Sequence, residues 1–147
     1  MPELYIARFN ARWADMDFNQ HLRNAAFLGY AEDTRIQFMT ERGFAASELT
    51  RLQIGPVVLE DRLQYKRELK LLEAFRVDLA VAAITDDGRR MKVRNRFFRE
   101  ADEVLCATVE SVVLWFDLAA RAPTPPPEAL ARLWVEAART DDFTRMG

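Results

Sequence analysis

Between Val57 and Phe116 the chain carries four extended-looking runs in succession and no helical pattern. Val57 to Glu68 comes first. Ala74 to Thr85 follows, with Phe75, Val77, Leu79 and Val81 on one side. Arg89 to Arg99 returns with Met91, Val93, Asn95 and Phe97 facing one way and Lys92, Arg94 and Arg96 the other. Val104 to Phe116 is the longest apolar run. Period-two alternation of this kind marks half-buried strands. Asp86-Asp87-Gly88 and the polar stretch Glu100 to Glu103 separate the last three runs as hairpin turns. Consecutive hairpins give an antiparallel sheet, and such a sheet needs something apolar to cover one face.

The cover is upstream. From Arg23 to Arg42 there is no proline, and Phe27, Tyr30, Ala31, Thr34, Phe38 and Met39 recur at helical spacing. Glu32, Asp33, Arg35, Gln37 and Glu41 fill the other faces, and Gly43 stands just past the expected helix end. Before the helix, Leu4 to Trp13 alternates imperfectly, with Tyr5, Ala7, Phe9, Ala11 and Trp13 on one side. Residues 44–56 read as a short helical turn and loop closed by Gly55-Pro56. After Asp117, Pro123 and Pro125 to Pro127 predict an irregular connection outside any sheet ladder. Glu128 to Arg139 then reads as a short helix packing back through Leu130, Leu133, Trp134 and Ala137, and residues 140–147 as a frayed, flexible tail. The order of strand, long helix, four strands and short helix is α+β.

Composition narrows the function classes. The 147 residues are long enough to bury a core in one domain. A net charge of −2 offers no basic field for nucleic acid. The lone Cys106 excludes an internal disulfide and a cysteine-based metal site. No apolar run approaches the roughly 20 residues of a membrane helix, and the N-terminus MPELYIARFN lacks a signal-peptide pattern. A cytoplasmic protein without metal or cofactor is the expectation.

Chemistry concentrates in residues 12–35. Between the first strand and the long helix lies a polar turn with Asp15, Asp17, Asn19, Gln20 and His21, the only histidine; Asn24 follows at the expected helix start. A helix N-terminus presents free N–H donors and a positive dipole end. A carboxylate beside it can act as base or nucleophile. The same residue types also make ordinary turns and caps. No Ser or Cys stands in a triad context with His21. Arg89, Arg90, Arg94 and Arg96 suit phosphates or a solvated strand face alike.

Three motifs in order give the turn a family. The first is Asp15-Met16-Asp17, then His21, Asn24, Phe27, Tyr30 and the pair Glu32 and Arg35. The second is Tyr65-Lys66-Arg67 leading through Glu73 to Val77; the third is Trp115-Phe116-Asp117-Leu118 before the prolines. In this the chain resembles the hotdog-fold acyl-CoA thioesterases of the 4-hydroxybenzoyl-CoA thioesterase-like family, over nearly its whole length. Gln20 and Leu72 stand where that family commonly has Gly, Arg23 where it has Asn, and Glu68 where it has Pro.

The resemblance implies a single hotdog domain over residues 1–147, an antiparallel five-stranded sheet wrapped on one long central helix with a short C-terminal helix. It implies hydrolysis of an acyl-CoA to free acid and CoA. Asp17 would be general base or nucleophile, the backbone N–H at Asn24 would polarise the carbonyl, and His21, the third residue of the catalytic set, would orient the loop or Asp17. Phe27, Val57, Val58, Leu59 and Tyr65 would line the acyl pocket. A homodimer or homotetramer is implied, with Val57 to Tyr65 facing the partner's site. A hotdog enoyl-thioester hydratase and a non-catalytic acyl-CoA-binding hotdog domain are the alternatives. The hydratase wants His five residues after Asp, and here His21 follows Asp17 by four.

Overall fold

A computed structural model describes residues 2–147. Its strands are β1 (Tyr5–Asn10), β2 (Ile54–Tyr65), β3 (Ala74–Ile84), β4 (Arg90–Arg99), β5 (Val104–Asp117), β6 (Ala122–Pro123) and β7 (Arg139–Arg145). Its helices are α1 (Asn24–Glu41), α2 (Ala46–Leu52) and α3 (Glu128–Val135). One curled sheet runs in the order β1-β3-β4-β5-β2, with β6 beside β5 and β7 beside β3. Every pair is antiparallel except β3–β7.

The local rules explain the elements. At the β3–β4 turn, Asp87 Oδ1 accepts the Arg89 N–H (3.0 Å) and the Thr85 hydroxyl (2.9 Å). Gly88 takes φ +76°, and a Cβ there would meet Ala131 at 3.1 Å. Helix α1 ends where Gly43 takes φ +92°. All six residues of the expected stripe of α1 are buried, and Arg35 is buried with them.

The apolar interior has two clusters. One gathers Phe27, Tyr30, Phe75, Val77, Phe97 and Val109 under the N-terminal half of α1. The other gathers Phe38, Leu49, Met91, Trp115, Leu130 and Trp134. The second is closed by α2 through Leu49 and by α3 through Leu130 and Trp134, so the sheet is not wrapped on α1 alone.

The remaining differences have local causes. Strand β1 stops at Asn10 and the chain turns through Trp13–Asp15, leaving Trp13 71% exposed. The Ala11 N–H donates to Glu73 O (2.9 Å) and Ala11 O accepts from the Leu72 N–H (2.7 Å), drawing the chain off the strand path. Pro123 does enter a ladder, opposite Phe116, but in a two-residue edge strand where a missing N–H goes unnoticed. Helix α3 ends at Val135, and the expected tail contains β7. The Val81 N–H donates to Ala138 O (2.8 Å), the Met146 N–H to Ile84 O (3.0 Å), and Arg94 grips Asp142 with two bonds of 2.9 Å. These contacts are backbone and ionic, so RTDDFTR carries no apolar alternation to announce them. The sheet therefore has seven strands where the sequence predicts five.

Two positions where the resembled family has Gly keep a glycine-like backbone here: Gln20 has φ +61° and Leu72 φ +67°. A bulky residue in this region costs about 1–2 kcal/mol, while glycine loses about 0.5–1 kcal/mol of unfolded-state entropy. Leu72 is 69% exposed, so its side chain gives little back. Leu72→Gly is expected to raise stability by about 0.5–1 kcal/mol in urea unfolding. A loss of stability would show that Leu72 packs in solution.

Candidate active site

The polar turn is a closed loop pinned at both ends. Met16 and Leu22 form a β-bridge across it, and His21 bridges Lys70. The Leu22 N–H donates to Leu69 O (2.7 Å), fastening the loop to the segment between β2 and β3. The Arg23 N–H donates to Asp15 O (2.9 Å), and its guanidinium donates to Met16 O (3.0 Å) and Ala14 O (3.3 Å). Arg23, where the resembled family has Asn, thus braces three backbone carbonyls. An exposed arginine before a helix gives no sequence signal of that role.

Within the loop, Asp17 organises its own turn. Its Oδ1 accepts the N–H of Asn19 (2.8 Å) and of His21 (3.1 Å). Its N–H donates to His21 O (2.8 Å), and its carbonyl accepts from Gln20 N–H (3.0 Å). The other carboxylate oxygen has no hydrogen-bond partner among the described residues, and the side chain lies at the surface. His21 contributes through its backbone; its ring makes no hydrogen bond among the described residues.

Asp15 has a different role. Its Oδ2 accepts from the Tyr30 hydroxyl (2.6 Å) and from Arg12 Nε (3.1 Å). The Tyr30 bond holds the carboxyl below the ordinary aspartate range; burial opposes this, and Arg12 and Arg23 help. Tyr30, expected as plain core, is therefore the bolt between the loop and α1. A carboxyl depressed on folding contributes stability above its unfolded pKa of about 3.9, lost as pH falls through the folded value. Tyr30→Phe is expected to cost about 1–2 kcal/mol at pH 7 in urea unfolding. The deficit should shrink as the pH drops below about 4. A deficit independent of pH would place its cause in packing alone.

Helix α1 starts at Asn24, with Arg23 as an extended N-cap (φ −67°, ψ 151°) that makes no side-chain cap. The Asn24 side chain does not cap either, and nothing among the described residues accepts its N–H. The Tyr65 hydroxyl donates to Asn24 O (3.2 Å), and the Tyr65 ring meets Phe27 edge-on at 5.5 Å. Phe27 in turn meets Phe97 at 5.2 Å, Phe97 stacks on Phe75, and Phe75 meets Tyr30. One chain of aromatic contacts thus links the hydroxyl holding Asp15 to the hydroxyl holding Asn24.

The structure brings Asp17, His21, Asn24, Phe27 and Tyr65 to one end of α1. Val57, Val58 and Leu59 lie at the other end of β2, opposite Leu114 and Val113, 38%, 41% and 50% exposed. Their strand pairs only with β5 and leaves its other edge open. Of the arginines that suit phosphates, Arg89 and Arg90 make no ion pair among the described residues, whereas Arg94 is taken by Glu110 and Asp142 and Arg96 by Asp78. These two line a cavity of about 1140 Å³ with Asp78, Ala80 and residues 135–142. They alternate with the buried Val93 and Asn95, so that cavity opens on the sheet face away from α1. Among the described residues no cluster of His, Cys, Asp and Glu could hold a metal. No helix among them is long and apolar enough to cross a membrane.

Solved structures share this architecture. A hypothetical protein of Staphylococcus aureus, solved in complex with CoA, superposes with a TM-score of 0.87 at 20% identity, covering 98% of this chain and 91% of that one. A 1,4-dihydroxy-2-naphthoyl-CoA thioesterase from Synechocystis gives 0.82 at 10% identity, covering 91% and 97%. A gentisyl-coenzyme A thioesterase gives 0.74 at 19% identity, covering 85% and 98%. At these identities the likeness is one of fold, the hotdog-like α+β fold. Residues 11–133, from just after β1 into α3, match the thioesterase-like superfamily, and the chain belongs to it.

Proposed function

We propose that this chain hydrolyses an acyl-CoA thioester to free acid and CoA. One observation carries the reading. Asp17 has one oxygen fixed by two backbone N–H groups and the other unclaimed, in a loop fastened to a helix start whose Asn24 N–H is also unclaimed. A thioester has a good leaving group, so hydrolysis needs a base or nucleophile, a positioned water and a donor for the carbonyl oxygen. As general base, the free Asp17 oxygen takes a proton from water while the water oxygen adds to the thioester carbon. The Asn24 N–H holds the oxyanion, the C–S bond breaks, and the thiolate leaves as CoA after taking a proton. As nucleophile, Asp17 instead forms a mixed anhydride that water then opens. The positive end of α1 favours the oxyanion in both routes. The CoA complex of the Staphylococcus aureus protein and the activities of the two named thioesterases support this substrate class.

The same reading includes a homodimer or homotetramer of single-domain subunits. The free edge of β2, the exposed Val57 to Leu59, and the bare Trp13 and Phe18 are the surfaces a second copy would cover. Pairing through β2 would carry those apolar residues toward the partner's Asp17 loop.

The test is thiol release from a panel of short, long and aromatic acyl-CoAs by the purified chain. Turnover of at least one class is expected. No release across the panel would sink the hydrolase reading.

A further inference from the structure

The sheet face away from α1 carries a second cavity of about 350 Å³, which shares Arg94, Arg96 and Asp142 with the larger one. Its floor is set by strand register. Leu63 packs against the first apolar cluster and Tyr65 against Phe27, both on the helix side of β2. Arg62 and Gln64 alternate with them and so stand on the opposite face, and Lys66 continues the series just past the strand end. On β5, Thr108 lies opposite Gln64 on one side and Arg96 on the other, and Glu110 lies opposite Arg62 and Arg94 in the same way. Adjacent strands are about 4.8 Å apart, so the β2 and β4 side chains flank Thr108 across about 10 Å.

The carboxylates on this face are committed. Arg94 donates through Nε to Glu110 (2.7 Å) and through its two Nη groups to Asp142 (2.9 Å each). Asp78, 3% exposed, accepts the N–H and the Nε of Arg96 (both 2.7 Å). Three cations keep free donors. The Arg62 and Lys66 side chains make no hydrogen bond or ion pair with any described residue, and neither Nη group of Arg96 makes a hydrogen bond with one. Gln64 takes the Thr108 hydroxyl (3.4 Å) on its oxygen, which leaves its amide N–H groups as donors. The uncommitted charge around Thr108 is therefore positive. A guest with several anionic oxygens meets it with charge-assisted hydrogen bonds, and a cationic or apolar guest gains nothing from it. Arg62 and Lys66 are four residues apart, about 13 Å along the strand, a span that suits linked phosphates better than a single one.

We propose that this cleft binds a diphosphate through Arg62, Lys66 and Arg96, with Gln64 and Thr108 between them. Two sources carry that chemistry. One is the phosphate-bearing end of an acyl-CoA whose thioester lies at Asn24. Lys66 directly follows Tyr65, whose hydroxyl holds Asn24 O (3.2 Å), so the cleft is reached from the candidate site round the end of β2. The other source is a separate nucleotide. Pairing of the β2 edge with a second copy engages its backbone and leaves this face open. Binding at the cleft does not depend on the hydrolase reading.

Calorimetry with inorganic pyrophosphate reads the site on the purified chain. The parent is expected to bind it. Arg62→Gln and Lys66→Gln should each weaken binding about tenfold, the size of one charge-assisted hydrogen bond, and the double variant should abolish it. Both side chains are exposed and pair with no described residue, so the variants keep the fold. Arg89→Gln, at an exposed arginine of the β3–β4 turn outside the cleft, is the control and should bind like the parent. No binding by the parent, binding unchanged in both single variants, or an equal loss in Arg89→Gln overturns the inference. Thiol release from an acyl-CoA and from the matching S-acyl-N-acetylcysteamine, which has no phosphate, then distinguishes the sources. With substrate phosphates in the cleft, the ratio of the two kcat/KM values falls about tenfold or more in the double variant; with a separate nucleotide as occupant, it stays parental. A parent that binds pyrophosphate and releases no thiol keeps the cleft and sinks the hydrolase reading alone.

Discussion

Asp17→Asn is expected to lower kcat for thiol release by about 10²- to 10⁴-fold, the range for a positioned proton-transfer group, while leaving stability within about 0.5 kcal/mol. The separation follows from the two oxygens of the side chain. Oδ1 accepts the N–H groups of Asn19 and His21 at 2.8 and 3.1 Å. An asparagine carbonyl accepts the same two bonds, so the turn survives. The change falls on the second oxygen, which becomes an amide that can neither take a proton from water nor attack a carbonyl. Asp17→Ala should differ instructively, losing activity and also about 1–2 kcal/mol, because it strips the turn of its acceptor. Both comparisons need only initial rates on one good substrate and urea unfolding curves. Equal rates in the parent and Asp17→Asn would show that Asp17 shapes the loop and that the chemistry lies elsewhere.

The loop was legible because its residue types are chemically unusual together. Two acids, two amides and the only histidine between a strand and a helix point to a site, and the spacing of Asp15, Asp17, His21 and Asn24 points to a family. The supports were not legible. Arg23 acts through carbonyls of Ala14 and Met16, and backbone acceptors leave no trace in sequence. Tyr30 belongs to the apolar stripe of α1 by periodicity, and only its hydroxyl at 2.6 Å from Asp15 reveals a second role. Arg35 looks like a solvated helix residue, because periodicity says which face a residue is on and not how deep the neighbouring strand buries it.

The same division holds for the fold. Helix α1 and strands β3, β4 and β5 follow from alternation and turn chemistry, and their bounds fall within about two residues of the pattern. Strand β7 could not follow, since Arg94 and the β3 backbone hold it and Phe143, packed against the second cluster, is its single apolar side chain, too few for an alternation. The positive φ of Gln20 and Leu72 was hidden for a related reason. Glycine advertises such a conformation, and a loop held by enough outside bonds imposes it on other residues. Gln20 O accepts from Leu71 and Leu72 donates to Ala11, so tertiary hydrogen bonds set both angles.

Asn24→Pro is expected to lower kcat by about 10²- to 10³-fold, the loss typical for one oxyanion donor, with little effect on folding. A backbone donor is ordinarily beyond mutation, but here its position permits the deletion. Asn24 is the first residue of α1, the one helical position where proline is at home, since its N–H has no intrahelical acceptor. The preceding Arg23 already has φ −67° and ψ 151°, the extended geometry that a following proline demands. The Tyr65 hydroxyl bonds to Asn24 O, which proline retains. Asn24→Ala keeps the N–H and removes the side chain, which makes no cap. The pair therefore isolates the backbone donor: near-parental rates in Asn24→Ala with a collapse in Asn24→Pro assign the polarising role to the N–H. A collapse in both would move that role to the side-chain amide. Parental rates in both would mean that the carbonyl oxygen is held by another donor, and circular dichroism on both variants establishes that α1 is intact when the rates are compared.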